Sequence, residues 1–196
     1  VWASPYTERS FKWRQKYLLN PENVFPSILV IPSVDVDYSG VMITTGINSG
    51  NSKDLTIAFS RGAGGAVDGQ SAEAYELGAD GITKLIAPAR ESDYNSLPTT
   101  GGTAKKSATF ESSILNQQNI KEIRELADNV RQKMAREVNA EYKGAYDVEL
   151  GFKNNKLWLF QIRPFVENKK ALSSGYLESI TPKIDKNKLV LLSKKI

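Results

Sequence analysis

The stretch YDVELGFKNNKLWLFQIRPF, residues 146–165, holds two runs of strand-forming residues around a polar turn. Asp147 and Glu149 interrupt the first run at alternate positions, and Gln161 and Arg163 interrupt the second in the same way. Strand side chains alternate between faces. Tyr146, Val148 and Leu150 therefore share one face, and Asp147 and Glu149 the other. In the second run Trp158, Phe160 and Ile162 share a face, and Leu157, Leu159, Gln161 and Arg163 share the opposite one. Register decides how these sets meet, because a slip of one residue exchanges the faces. A two-residue turn at Asn154 and Asn155 sets Glu149 against Phe160 and Val148 against Gln161, mixing polar with apolar on both faces. A turn centred on Asn155, odd in length or bulged, sets Val148 against Ile162, Leu150 against Phe160, Glu149 against Gln161 and Asp147 against Arg163. One face is then uniformly apolar, and the hydrophobic pattern selects this register.

Two meanings fit the resulting cluster. In the first, Asp147–Arg163 is a cross-strand ion pair beside a Glu149–Gln161 hydrogen bond, each contributing roughly 0.2–1 kcal/mol. In the second, the Glu and Asp oxygens and the Gln carbonyl form a hard-cation site suited to Mg²⁺, which binds few protein ligands together with phosphate oxygens. Arg163 then faces the phosphates, its planar fork matching them. Pro164 ends the strand, which leaves Gln161 and Arg163 where a ligand can reach.

The rest of the chain narrows the chemistry. Its 196 residues, 40% hydrophobic and 24% charged, suffice for a soluble globular domain with a real core. No apolar run approaches the ~20 residues of a membrane span, and the first residues lack a signal-peptide core. Cysteine is absent, which fits a cytoplasmic location and removes thiolate chemistry. Histidine is absent too, so no imidazole base, His metal ligand or phosphohistidine resides in this chain. The net charge of +4 arises from scattered residues and a basic tail, better explained as a solvated segment than as a nucleic-acid surface.

Residues 4–19 read as a helix with a basic face of Arg9, Lys12, Arg14 and Lys16, ended by Asn20-Pro21. SILVIP (27–32), SGVMITT (39–45) and LTIAF (55–59) read as strands, and Asp35 and Asp37 as solvated loop acids or, less simply, a metal pair. Residues 75–77 and 82–86 form an expected hairpin closed by residues 78–81. The polar stretch 88–113 reads as a long loop. Residues 119–140 are the strongest helix, with Asn119 as its cap, Glu122 as the reciprocal partner, and Ile120, Ile123, Leu126, Val130, Met134 and Val138 at helical spacing. The expected fold is α+β, a mostly antiparallel sheet with helices packed on one face.

The spacing D-x-E, eleven residues, then Q-x-R-P resembles the end of the nucleotide-binding domain of the pyruvate phosphate dikinase and phosphoenolpyruvate synthase family. Upstream, VWASPYTERSFKWR is similar to that family's W-A-S-x-x-x-x-R-A helix. Residues 27–50 resemble its strand, loop and S-G-V-x-F-T strand, and RGAGGAVDGQ resembles its G-L-G-E-x-V-V-x-G turn. The resemblance covers residues 1–164. It implies an ATP-grasp-like lobe in which Glu149 and Gln161 hold Mg²⁺ with Asp147 adjacent, Arg163 contacts the phosphates, and Ile31, Val34, Gly62, Gly64 and Gly65 border the nucleotide. It implies ATP as ligand and phosphoryl transfer to a histidine on a separate domain, reaching pyruvate or phosphoenolpyruvate indirectly. The absent histidine is then accounted for. Such transfer rests on positioning and charge neutralisation rather than on a nucleophile in this domain.

Two positions depart from the pattern: Gly65 stands at the family's acid, and Ile31 at its glutamine beside the adenine. The expected organisation is a C-terminal lobe, residues 1–166, and a basic tail, residues 167–196. The N-terminal lobe that grips the triphosphate belongs to the parent protein, so the isolated chain is expected to bind ATP poorly and to be inactive. A related dikinase with a non-pyruvate acceptor and a non-catalytic interaction module remain as alternatives.

Overall fold

The computed structural model describes residues 2–20, 22–66, 71–137, 142, 144–166 and 179. Six strands form one antiparallel sheet: β1 (Tyr38–Ile43), β2 (Leu55–Arg61), β3 (Glu73–Leu77), β4 (Thr83–Ala87), β7 (Tyr146–Lys153) and β8 (Lys156–Pro164), ordered β4-β3-β2-β1-β7-β8. Two short strands, β5 (Asp93–Ser96) and β6 (Ala104–Ser107), pair separately. A 3-10 turn (Ser4–Tyr6) precedes helix α1 (Glu8–Tyr17), and α2 (Gln117–Glu137) lies on the sheet. The fold is α+β, as the hydrophobic periodicities predict.

Period-2 burial builds the sheet's inner face. Met42, Leu55, Ile57, Phe59, Leu77, Val148, Leu150 and Phe152 are all 2% exposed or less, and they pack against Ile123, Ala127 and Val130 of α2. The guanidinium of Arg124 donates to the carbonyls of Gly78 and Ile82, and Nη2 of Arg131 donates to those of Thr44, Ser52 and Asp54. These bonds satisfy strand-end carbonyls and fix α2 across β1, β2 and the β3–β4 turn. The opposite face carries Ser39, Val41, Thr56, Ala58, Asp147 and Glu149, whose register partners lie side by side across β2, β1 and β7.

Several expectations change. Residues 27–32 form no strand; Leu29, Val30 and Ile31 are exposed. A strand needs a ladder partner, and Pro26 and Pro32 bracket this run and cannot donate to one. The stretch 88–113 is not a continuous loop, because it contains the β5–β6 hairpin, whose DYNS and AKKS strands lack apolar alternation. Helix α2 is capped by Asn116 rather than Asn119. The Asn119 N–H donates to Asn116 Oδ1 (2.9 Å) and the Asn116 N–H to Asn119 Oδ1 (3.1 Å), a reciprocal cap one turn earlier. Glu122 instead accepts from Gln118 Nε2. The N-terminal helix is shorter than residues 4–19, starting at Glu8 behind a Thr7 cap. Val138, the expected helix end at residue 140, Gly69 and all but residue 179 of the tail lie outside the described residues.

Candidate functional site

The β7–β8 hairpin turns on Asn154 and Asn155, at φ of 51° and 59°. Two consecutive left-handed residues make the tight turn whose twist suits a hairpin, and asparagine tolerates that region better than most residues. From this turn the ladder runs Lys153 to Lys156, Phe152 to Leu157, Gly151 to Trp158 and Leu150 to Leu159. A bulge then inserts Phe160, and pairing resumes as Glu149 to Gln161, Val148 to Ile162 and Asp147 to Arg163. The polar residues have the partners that strand alternation predicts. Two expectations are corrected: the turn is the two-residue one at Asn154 and Asn155 rather than one centred on Asn155, and Leu150 opposes Leu159 rather than Phe160. The bulge explains the difference, since one extra residue on β8 lets a two-residue turn coexist with the polar alignment. It also puts Leu157 and Ile162 against the core, which an unbroken alternation cannot do.

Within the cluster the two pairs behave differently. Arg163 Nε and Nη2 both donate to Asp147 Oδ2, at 2.8 and 2.7 Å. The carboxylate raises the guanidinium's pKa further above its ordinary value, and Glu149 adds to this. Arg163 is 58% exposed and Asp147 13%, so water screens the pair from the arginine's side. The Glu149 carboxylate and the Gln161 amide, opposite each other on the same face, have no hydrogen bond to any described residue.

Beside them lies a small cavity of about 110 Å³, lined by Val34, Val36, Ser39, Gly40, Ala63, Gly64, Glu149, Leu150 and Phe160. It joins three of the expected site residues, Val34, Gly64 and Glu149. Gly151 packs closely beside it: a Cβ there meets Phe160 Cε2 and Val36 Cγ1 at 3.0 Å. Ile31 is 60% exposed and outside this lining. Gly62, Gly65, Gln161 and Arg163 also lie outside it.

The glycine turn is held by Ser39, a residue the sequence reading passed over. Its hydroxyl donates to the Gly62 carbonyl (2.7 Å) and accepts the Gly64 N–H (3.0 Å). The Gly62 N–H goes to the Asp37 carbonyl and that of Ala63 to the Asn95 carbonyl. Three successive amides are thus committed to protein acceptors. Gly62 at φ 70° and Gly64 at φ 81° occupy the left-handed region that glycine alone enters freely. At Gly62 a side chain also collides with the Asn95 carbonyl and with Tyr94.

Asp35 and Asp37 share one lysine as their neighbour. Lys153 Nζ sits 3.6 Å from Asp35 and 3.4 Å from Asp37. Asp35 accepts the Leu97 N–H, which lowers its pKa below the ordinary carboxylate value, with Lys153 assisting. Asp37 accepts the Asn154 N–H at 2.6 Å and so anchors the hairpin turn. Among the described residues no group of three or more acidic, histidine or cysteine side chains gathers to bind a metal. Nor is any of their helices long and apolar enough to cross a membrane.

A search of curated proteins found no match to the chain. The family model described as pyruvate phosphate dikinase, AMP/ATP-binding domain, matches residues 1–181, reaching past Pro164 where the recognised motifs end. The chain belongs to the family of pyruvate phosphate dikinase AMP/ATP-binding domains.

Proposed function

We propose that this chain is the C-terminal part of an ATP-grasp unit, and that its outer sheet face presents a Mg²⁺–triphosphate site for phosphoryl transfer to a histidine on another domain. The carrying observation is the register that sets Glu149 opposite Gln161 with neither engaged in a hydrogen bond to a described residue. One carboxylate and one amide carbonyl are a fitting pair for a cation that takes few protein ligands and completes its shell from phosphate and water. When bound, Mg²⁺ supplies neutralisation of phosphate charge.

The chain's own residues then divide the work. Glu149 and Gln161 hold the cation from adjacent strands, so the antiparallel ladder fixes their separation. Asp147 acts as a positioning residue: it takes Arg163 Nε and Nη2 and leaves Nη1 without a bond to a described residue. Val34 and the Gly64 turn border the nucleotide, with Ile31 and Gly65 at its margin. Because the amides of residues 62–64 are already spent, the turn contributes shape and close approach rather than a cradle of donors. That feature also favours a second reading, a module that keeps the fold for interaction. A dikinase with another acceptor shares the same site and differs only in its partner domains.

Paramagnetic Mn²⁺ with ATP, titrated into the ¹⁵N-labelled 196-residue chain, tests the proposal even at low occupancy. Selective broadening of the amides of residues 147–149 and 161–163, abolished by Glu149→Ala, is the expected result. Broadening centred on Asp35 and Asp37, or surviving Glu149→Ala, refutes it. In the parent protein, Glu149→Lys should lower turnover by orders of magnitude, whereas an interaction module loses at most stability.

A further inference from the structure

On the helix side of the sheet, at its β1-start and β2-end corner, lies a cavity of about 300 Å³. It is lined by Asp37, Tyr38, Arg61, Tyr94, Ile114 and the hydroxyl residues Ser107, Thr109, Ser112 and Ser113. The size is at the lower end of small-molecule pockets, enough for one saturated ring with its substituents.

The wall's charges are already balanced. Arg61 Nη1 lies 2.9 Å from Glu91 Oε1, and the two side chains are only 15% and 2% exposed. Its backbone N–H reaches the same oxygen, and its guanidinium lies over the Phe110 ring. Asp37 is held by Lys153 and the Asn154 N–H. An anion entering the cavity meets a guanidinium whose charge the buried Glu91 already neutralises, with the Asp37 carboxylate on the same wall. A cation must compete with Lys153 for Asp37.

The hydroxyls tell the other half. Those of Tyr94, Ser107, Thr109 and Ser112 have no hydrogen bond to any described residue, although all four border one cavity. Behind the wall, the buried partners of Arg61 and Tyr38 each keep a polar atom unmatched: Glu91 Oε2 as an acceptor and Asn119 Nδ2 as a donor. Two phenol rings, a neutralised Arg–Glu pair and a ring of spare hydroxyls suit a ligand that both donates and accepts while carrying no charge.

We propose that this cavity binds a neutral polyhydroxylated molecule of monosaccharide size, at a site separate from the nucleotide face. Its position gives the site a consequence. Tyr94 packs on Gly62, and the Asp37 carbonyl accepts the Gly62 N–H. An occupant resting on Tyr94 and Asp37 therefore bears on the turn that Ser39 ties to the outer face.

Saturation-transfer NMR on the 196-residue chain tests this with D-glucose, D-galactose, D-mannose and myo-inositol, beside D-glucose 6-phosphate and inorganic phosphate. At least one neutral probe should bind saturably and shift the amides of residues 94 and 107–113. Thr109→Val combined with Ser112→Ala, both exposed and away from the core, should weaken it roughly tenfold or more with an unchanged circular dichroism spectrum. Glu149→Ala should leave it untouched, so this outcome is independent of the Mg²⁺ reading. The proposal is overturned if no neutral probe saturates, if a phosphorylated probe binds more tightly than its neutral parent, or if the double variant binds as well as the wild type.

Discussion

Deleting a single residue from β8 should be nearly harmless at one position and severe two positions later. Removing Phe160 takes out the bulge residue. Leu150 still meets Leu159, Glu149 still meets Gln161, and the ladder between them becomes regular. The loss is the partly covered ring, 40% exposed in the native chain. At 1.5–3 kcal/mol for a fully buried Phe, that is about 1–2 kcal/mol. A regained backbone hydrogen bond returns roughly 0.5–1.5 kcal/mol. The net change runs from a gain of about 0.5 kcal/mol to a loss of about 1.5 kcal/mol. Removing Ile162 instead forces the bulge to close in the wrong place. Gln161 is then drawn opposite Val148, which is 0% exposed, and its amide enters the core while Ile162's packing disappears. A buried unsatisfied amide costs about 1–3 kcal/mol, and the lost aliphatic contact about 1–2 kcal/mol, giving about 2–5 kcal/mol. Leaving the bulge open is no escape, because Arg163 then faces the core. Urea titrations followed by circular dichroism should separate the two deletions by about 1–2 M in midpoint, for a slope near 2 kcal/mol/M. Equal losses, or a larger loss for the Phe160 deletion, refute the bulge as the device that aligns the polar residues.

Further expectations follow from the packing. Gly40→Ala should destabilise by about 2 kcal/mol or more in the same titration, since the new Cβ falls on the Ala58 carbonyl oxygen and lies 2.6 Å from Phe59 Cγ. Asn116→Ala should cost about 1 kcal/mol through the lost cap of α2, whereas Glu122→Ala, whose described bond is the exposed one from Gln118, should change stability by less than about 0.5 kcal/mol. Asp54 accepts from Ser49 Oγ, the Ala79 N–H and Asn51 Nδ2, and the Ser49 and Ala79 bonds lower its pKa. A carboxyl depressed in the folded state lends stability that is present above its unfolded pKa and lost as pH falls through the folded one. Asp54→Asn should therefore lose less stability than wild type when urea midpoints are compared between about pH 5 and pH 2, near and below the ordinary carboxylate pKa; parallel curves contradict this.

The polar alignment was legible because it follows from alternation alone: only one pairing keeps Val148 and Leu150 clear of Gln161 and Arg163. The place of the bulge was not legible. Phe160 is as apolar as its neighbours, and nothing in LWLFQ marks where the extra residue goes. Residues 27–32 misled for the opposite reason, since three aliphatic side chains suit a strand but supply no partner. The β5–β6 hairpin escaped notice because its four pairs, from Asp93–Ser107 to Ser96–Ala104, involve polar or small residues, apart from Tyr94. The α2 cap was mistaken by one turn because Asn116 and Asn119 both suit the position. The structure uses them together, burying Asn119 completely so that its Oδ1 also receives the Tyr38 hydroxyl. Ser39 was invisible as an organiser, since its partners at residues 62 and 64 become neighbours only when β1 and β2 pair.

Two arginines show why an ion pair does not decide between the structural and chemical meanings of the hairpin. Arg61 and Arg163 each meet a carboxylate, at 2.9 and 2.7 Å. Distance alone makes them equivalent. Their surroundings do not: Glu91 is 2% exposed and holds both the guanidinium and backbone N–H of Arg61, whereas Arg163 stands 58% exposed at a strand end. Separating the first pair strands a buried charge, at a cost of several kcal/mol. Separating the second returns Arg163 to water but leaves Asp147, 13% exposed, partly uncompensated, so the cost lies between that of a surface pair and that of the buried one. A phosphate oxygen in charge-assisted contact can meet the exposed side of the Arg163 guanidinium while Asp147 keeps its own bonds. The Asp147–Arg163 bond therefore holds the guanidinium aimed outward. It is compatible with a ligand-facing role, while the better-buried arginine is the one committed to the fold.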